Sequence, residues 1–284
     1  MPERPDLEYV VPILARELAG RSIAGVRVKK PVVLRVAVEG KPEELLVGQS
    51  FGAVERRAHF VRFDLGDELE LVVSPMLAGR FIVAAATDRN PADLAVAWAL
   101  DDGRELRYRD DVQMGKVYVI RRGDWEQVPG LEKIGIDVLN RKLFTRDAFR
   151  QIAARRRDQV KVFLMDKSAL DAMGNAYADE VLFEARLHPK TFVKALAPEE
   201  VDRLHDAIVK VIGEATRIIA KRKPPLDEKV RDFLKVRGRA GEPCPRCGTK
   251  LRSAGVHGHD AEFCPECQPA TRKSGIVDWK LPRP

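Results

Sequence analysis

The sequence predicts a multidomain α+β protein, and three observations carry that prediction. Alternating Val, Leu and Phe runs fill the first half, the apolar period changes to 3.6 near residue 145, and four cysteines crowd together near the end. With 284 residues and 45% hydrophobic side chains, the chain can bury a sizeable core and divide into domains.

Taken in order, LEYVVPILARELA at residues 7–19 predicts an amphipathic helix despite Pro12. The runs GVRVKKPVVLRVAVEG, LLVGQSFGAVERR, HFVRFDL, LELVVSPM and RFIVAAA come next, separated by Gly, Asp and Lys-Pro breaks. AVAWAL, ELRYRD and KVYVIRR add strand candidates, so the first domain reads as antiparallel β entered by a helix. TRDAFRQIAARRR, DQVKVFLMD, KSALDAMG and NAYADEVLFEARL then read as helical. So does PEEVDRLHDAIVKVIGEATRIIAKR, which opens with proline and two acids. KRKPPLDEK is the linker candidate, and no internal repeat or low-complexity tract occurs. The expected domains are residues 1–140, 141–223 and 224–284.

Charge separates the last module from the rest. The net charge is +7, and residues 221–284 hold 15 basic against 8 acidic side chains while the preceding chain balances. A basic terminal module on a neutral body suggests a polyanion partner, although a generic solvated surface can carry a balance this mild. No run of 18 apolar residues and no signal-peptide pattern appears, so a soluble cytosolic protein is expected.

Cys244, Cys247, Cys264 and Cys267 form two C-x2-C pairs with sixteen residues between them. That spacing suits one tetrahedral structural zinc; two disulfides are the alternative, which the missing secretory signal disfavours. His257 and His259 lie between the pairs and read as bystanders, because four sulfurs already close the shell. The segment is too small to bury its own core, so the metal supplies its folding free energy. Its hairpin, AGVHGHDAEF, has glycines at 255 and 258 around a turn.

Two further features could bear chemistry. The small Pro2 should permit removal of Met1, leaving a secondary α-amine; α-amines titrate near about 8, below lysine, and are nucleophilic at neutral pH. Such an amine can attack a sugar aldehyde carbon, with Glu3 beside it to move protons, yet many chains begin Met-Pro without catalytic reason. At Gly174-Asn175 one helix breaks and the next starts, offering backbone amides and the Asn175 amide to a phosphate, with Lys161 adding charge. An ordinary packing turn would look the same.

Together these pieces resemble the formamidopyrimidine-DNA glycosylase and endonuclease VIII family. The start MPERPDLE is similar to that family's MPELPEVE, and FLMDKSALDAMGNAYADEVLFEARLHP resembles its helix-two-turn-helix signature. VRGRAGEPCPRCGTKL with EFCPECQ resembles its terminal zinc finger, and RRAHFVRF and SPMLAG resemble two of its β-domain segments. The resemblance implies an N-terminal β-sandwich, a helical domain with a finger, and double-stranded DNA carrying a damaged base or abasic site held between them by a monomeric enzyme. It implies Pro2 as Schiff-base nucleophile, Glu3 as proton donor, and Lys161 and Asn175 as phosphate holders. Met76 is implied as a side chain inserted where the nucleotide is extruded, because the sugar carbon cannot be reached inside a duplex.

Departures from the pattern are specific. His59 stands for the family's catalytic lysine, His259 for its finger arginine, and Asp6 for a glutamate. In DDVQMG, Val112 replaces an arginine and Met114 a phenylalanine. An imidazole is only fractionally protonated at neutral pH, so a weaker phosphate grip is expected, with products mainly at the β-elimination stage. Two functions are open: a bifunctional glycosylase and abasic-site lyase with one structural zinc, or a protein that binds damaged DNA with little turnover.

Overall fold

Glu3 begins the first helix in the structure, a computed structural model that describes residues 3–171 and 173–270. Its amide donates to Asp6 Oδ2 at 2.8 Å and caps α1 (Arg4–Leu18), with Pro5 in the first turn, where no amide hydrogen is needed. Leu7, Val11, Leu14 and Leu18 recur at helical spacing and are buried, and the helix runs on through Pro12.

The β runs after it pair as two sheets. They comprise β1 (Ile23–Val28), β2 (Leu34–Val36), β3 (Phe51–Arg57), β4 (Phe60–Leu65), β5 (Leu69–Ser74), β6 (Arg80–Ala85), β7 (Leu94–Leu100), β8 (Arg104–Arg109) and β9 (Lys116–Arg121). One sheet has the order β1-β7-β8-β6 and the other β2-β9-β5-β4-β3; every pairing is antiparallel except β2 with β9. Their inner faces and α1 share one core, in which Phe63 of the second sheet meets Phe81 of the first at 5.9 Å between ring centroids. This is the expected β-sandwich. One expectation fails: the residues just before QSFGAV do not begin a strand but close a short helix, α2 (Pro42–Leu46), which Pro42 opens with Glu43 and Glu44 in its first turn.

The helical part holds α3 (Arg146–Ala154), α4 (Val160–Met165), α5 (Asn175–Ala185) and α6 (Pro198–Arg222). Thr145 caps α3 by accepting from the Ala148 amide at 3.2 Å, as its side chain suits. In the KSALDAMG stretch, expected to be helical, residues 167–171 are turn and bridge instead. Its backbone binds the incoming chain: Gly135 and Ile136 amides donate to the carbonyls of Lys167 and Ala169, and Asp171 donates back to Ile136. A side chain on Gly135 would meet the Ala169 carbonyl carbon at 2.2 Å, so glycine alone allows that approach. Beyond it, β10 (Arg252–Val256) and β11 (His259–Phe263) form the finger hairpin. The turn is His257-Gly258, both at positive φ, and Gly255, expected beside it, lies within β10.

The chain divides into two compact units. One takes the described residues through Lys133 together with Thr216–Val230; the other takes Ile134–Ala215 and the described residues from Arg231 onward. The boundary therefore falls inside α6, and the expected linker is tied to the sandwich. The Tyr9 hydroxyl donates to the Pro224 carbonyl at 2.9 Å, Arg109 pairs with Asp227, and Lys229 reaches the Leu77 carbonyl at 3.1 Å. Among the described residues no helix is long and apolar enough to cross a membrane.

Candidate functional site

In the sandwich unit the candidate groups sit at turns that the sheets hold rigidly. Pro2 lies outside the described residues; Glu3, next to it, is buried at the start of α1. Asp6 takes a role that its type explains, since its short carboxylate reaches back to the Glu3 amide and orders the chain directly after Pro2. His59 occupies the two-residue turn between β3 and β4, preceded by Ala58 at φ 52°, and packs on Phe60 with ring centroids 4.0 Å apart. It is almost wholly buried, whereas a solvated replacement without a role would stand exposed.

Two loops leave neighbouring strands at the same end, one after Ser74 of β5 and one before Lys116 of β9. The buried Tyr108 hydroxyl lies under both: a Cβ on Gly79 or Gly115 would come within 2.2 or 1.9 Å of it. Asp110 braces the second loop, accepting from the amides of Val112, Gln113 and Gly115 at 3.1, 2.9 and 2.7 Å. The tips are apolar and unusually open. Leu77, Val112 and Met114 are 53%, 50% and 44% exposed, and Met76 is held at φ 46° beside them. Sequence reasoning named Met76, Val112 and Met114 and missed Leu77, whose signal was only an apolar residue next to a turn.

In the helical unit α5 begins at Asn175, with Gly174 as its N-cap. A charged cluster packs beneath. Lys161 of α4, expected to reach a phosphate, is fully buried: its ammonium donates to Asp179 Oδ1 at 2.5 Å and to the Asp260 carbonyl at 2.7 Å. Burial, partly offset by Asp179, pulls the Lys161 pKa down. Burial likewise pushes Asp179 up to about 6, with Lys161 and the Glu262 amide pulling the other way. The other oxygen of Asp179 accepts from Arg237 Nη1 and from the Glu262 amide, both at 3.1 Å. Asn175 Nδ2 donates to Asp260 Oδ1 at 2.9 Å. Helix α5 and the finger hairpin are thereby cross-braced.

Glu180, the next residue on α5, accepts from the backbone amides of Lys235, Val236 and Arg237 at 2.8, 2.8 and 2.9 Å. Burial raises its pKa against the pull of those three bonds. Asp179, Glu180, Arg237 and Asp260 were all missed. Two adjacent acids inside a helix with few other polar side chains, DEVLF, were the available signal.

The four cysteine sulfurs lie within 4.8 Å of one another. Cys244 to Cys267 is 3.9 Å and Cys247 to Cys264 is 3.5 Å, near the ~3.8 Å edge of a tetrahedron with Zn–S of about 2.3 Å. No pair is bonded as a disulfide. Amides of Arg246 and Cys267 each point at a sulfur from 3.4 Å, the knuckle geometry that stabilises thiolate. The donor set fits zinc, which closes the site structurally and leaves no open position for substrate. His257 and His259 stand in the turn and at the start of β11, outside the ligand cluster.

A two-sheet unit entered by a capped helix, joined to a helical unit whose α5 is braced by a four-cysteine finger, defines the helix-two-turn-helix, zinc-finger class of proteins. Family comparison agrees along the chain. "Formamidopyrimidine-DNA glycosylase N-terminal domain" matches residues 1–117, "Formamidopyrimidine-DNA glycosylase H2TH domain" matches 134–222, and "Zinc finger found in FPG and IleRS" matches 241–270. The chain belongs to the formamidopyrimidine-DNA glycosylase family. It is 30% identical over 270 residues to the formamidopyrimidine-DNA glycosylase of Pelotomaculum thermopropionicum, covering 92% of this chain and 96% of that protein. It is 34% identical over 262 residues to that of Symbiobacterium thermophilum, covering 90% and 85%. Among solved structures it is similar to Lactococcus lactis Fpg in complex with DNA containing N7-benzyl-Fapy-dG. The TM-score is 0.85 at 25% identity, covering 95% of this chain and 100% of that one. A complex of the same protein with abasic-site DNA gives 0.84 at 25% identity, covering 94% and 100%.

Proposed function

We propose that this chain is a DNA-repair glycosylase that excises damaged bases and cleaves the strand at the resulting abasic site. The observation that supports it most is the Pro2-Glu3 start on a chain that carries every domain of the family, because DNA binding alone needs no terminal secondary amine. The Pro2 nitrogen attacks C1′ of the extruded nucleotide, the base departs as its glycosidic bond breaks, and the sugar ring opens to an iminium. Glu3 moves the protons these steps require. The iminium acidifies the C2′ hydrogen; its loss expels the 3′ phosphate by β-elimination, and water releases the enzyme.

The other groups serve extrusion and grip. Met76, with Leu77, Val112 and Met114, forms an apolar tip suited to fill a vacated base stack. Asn175 holds a phosphate, and Lys161 acts through Asp179 and Asp260 as a positioning residue. His59 and His259 stand where the family has a lysine and an arginine and supply less charge. Zinc holds the finger and takes no part in bond breaking. We place the protein in the cytoplasm as a monomer.

Borohydride trapping on an abasic duplex tests the proposal: a covalent protein–DNA adduct is expected. Binding of that duplex without any adduct would favour the second reading, a damage-binding protein, which the loss of two basic groups at positions 59 and 259 motivates.

A further inference from the structure

We propose that Asp260 is a resident anion on the phosphate-gripping face: its carboxylate occupies the Asn175 amide and the Arg237 guanidinium in the free protein and yields them to a DNA phosphodiester. The inference deepens the proposed function and rests on Asn175 as a phosphate holder.

The geometry carries it. Asp260 Oδ1 accepts from Asn175 Nδ2 at 2.9 Å and Oδ2 pairs with Arg237 Nη2 at 2.8 Å. One anion thus spreads two oxygens over a neutral amide and a guanidinium, as the two non-bridging oxygens of a phosphodiester would. The carboxylate is on the solvent side, with 57% of its side chain exposed against 22% for Arg237 and none for Lys161. An ion pair this open is cheap to separate.

The hairpin does not need that side chain for anchorage. The Asp260 carbonyl already accepts from Lys161 at 2.7 Å, Asp260 pairs with Gly255 in the ladder, and the Glu262 amide donates to Asp179 at 3.1 Å. The charges point the same way. Lys161 and Arg237 face Asp179 and Asp260, so the charges of these four groups cancel while Asp260 is seated, and the site becomes more positive by one charge when it swings away. Asp179 is buried and cannot exchange for a ligand. Partial burial opposes the Asp260 charge, yet Arg237 and Asn175 hold its carboxyl below the usual range, so it is an anion at neutral pH. Arg237, against its own burial, is kept more firmly charged by Asp179 and Asp260.

The test uses the zinc-loaded full chain and a duplex carrying a tetrahydrofuran abasic analogue. Asp260→Asn removes the charge and keeps an acceptor, and Glu39→Gln removes an equal charge from an exposed loop position. Asp260→Asn should bind more tightly than wild type. The gain should be about threefold larger at ~50 mM than at ~200 mM salt, because one further counterion steepens the salt slope by about 0.9. Glu39→Gln should show no comparable gain. Equal or weaker binding by Asp260→Asn with zinc content and melting temperature unchanged would make the carboxylate a staple and overturn the inference. Failure of the wild type to bind the duplex would instead remove the proposed function. Should Asp260→Asn not fold, the Asn175 side-chain amide resonance of the wild type decides: it must shift when the duplex binds, and an unmoved resonance in the bound state overturns the inference.

Discussion

Pro2 is the residue on which the proposed chemistry turns, and it was legible in the sequence, since a proline after Met1 needs no fold to be recognised. At the very next residue the Glu3 amide, bonded to Asp6, holds the start of α1. Substituting Pro2→Gly keeps a terminal amine but makes it primary and more flexible. Strand cleavage at abasic sites should fall by orders of magnitude while binding of an uncleavable abasic analogue stays within a few-fold, as gel assays of products and of binding will report. Undiminished cleavage would move the nucleophile elsewhere. Lys161 shows the opposite case. Its charge and place in the sequence pointed to a phosphate, yet a lysine with no exposed surface serves its buried partners first.

Helix α5 and the finger are the elements whose union matters most, and each has its own lever. Zinc is the first. The hairpin contributes Asp260 and Glu262 to the braces on Lys161, Asp179, Arg237 and Arg239. Metal analysis should find one zinc per chain, and chelation should abolish binding to abasic DNA while the sandwich keeps its β circular dichroism; retained binding after complete zinc removal contradicts the bracing. His188 is the second lever. It packs edge-on against Phe263 of β11 at 4.7 Å, and its Nδ1 accepts from the Lys190 amide at 3.2 Å. Burial, with Lys190 assisting, depresses its pKa to about 4 from 6.5. A base depressed on folding contributes stability that is complete above pH 6.5 and is lost as pH falls toward 4, up to about 3 kcal/mol. Asp179, raised to about 6, acts in the opposite sense, gaining relative stability as pH falls through that value. The contribution of His188 is therefore read as a difference: His188→Asn should melt with a smaller drop between pH 7 and pH 4.5 than wild type. Equal drops would show that this imidazole is not protonated on unfolding.

Across the whole molecule, the net charge of +7 remains after every acidic side chain has been counted against a basic one. Three of the basic side chains of residues 221–284 are paired within the protein: Arg237 with Asp179 and Asp260, Arg239 with Glu242, and Lys235 with Glu184. Affinity for DNA should still be salt-dependent, since each phosphate neutralised releases counterions. With two or more phosphates held, binding of an abasic duplex should weaken at least about tenfold between ~50 and 200 mM salt. A flat response over that range would mean that base and sugar contacts, not phosphates, hold the DNA.

By itself the sequence determined the α+β division, the zinc ligands, the helix and strand runs whose periods were clean, and the Pro2-Glu3 start. These are local facts: spacing, periodicity and chain position survive without knowing what packs against what. Tertiary structure alone decided that residues 167–171 of KSALDAMG are turn and bridge, because the carbonyls of Lys167 and Ala169 are claimed by Gly135 and Ile136 from far back in the sequence. It decided that KRKPPLDEK is docked through Tyr9, Arg109 and Leu77, rather than a free linker. And it decided which charges are available, burying Lys161, pairing Arg237, and leaving the carboxylate of Asp260 in the solvent above Asn175. Such pairings depend on residues distant in sequence, and the free energy of a charge depends on its burial and its partners.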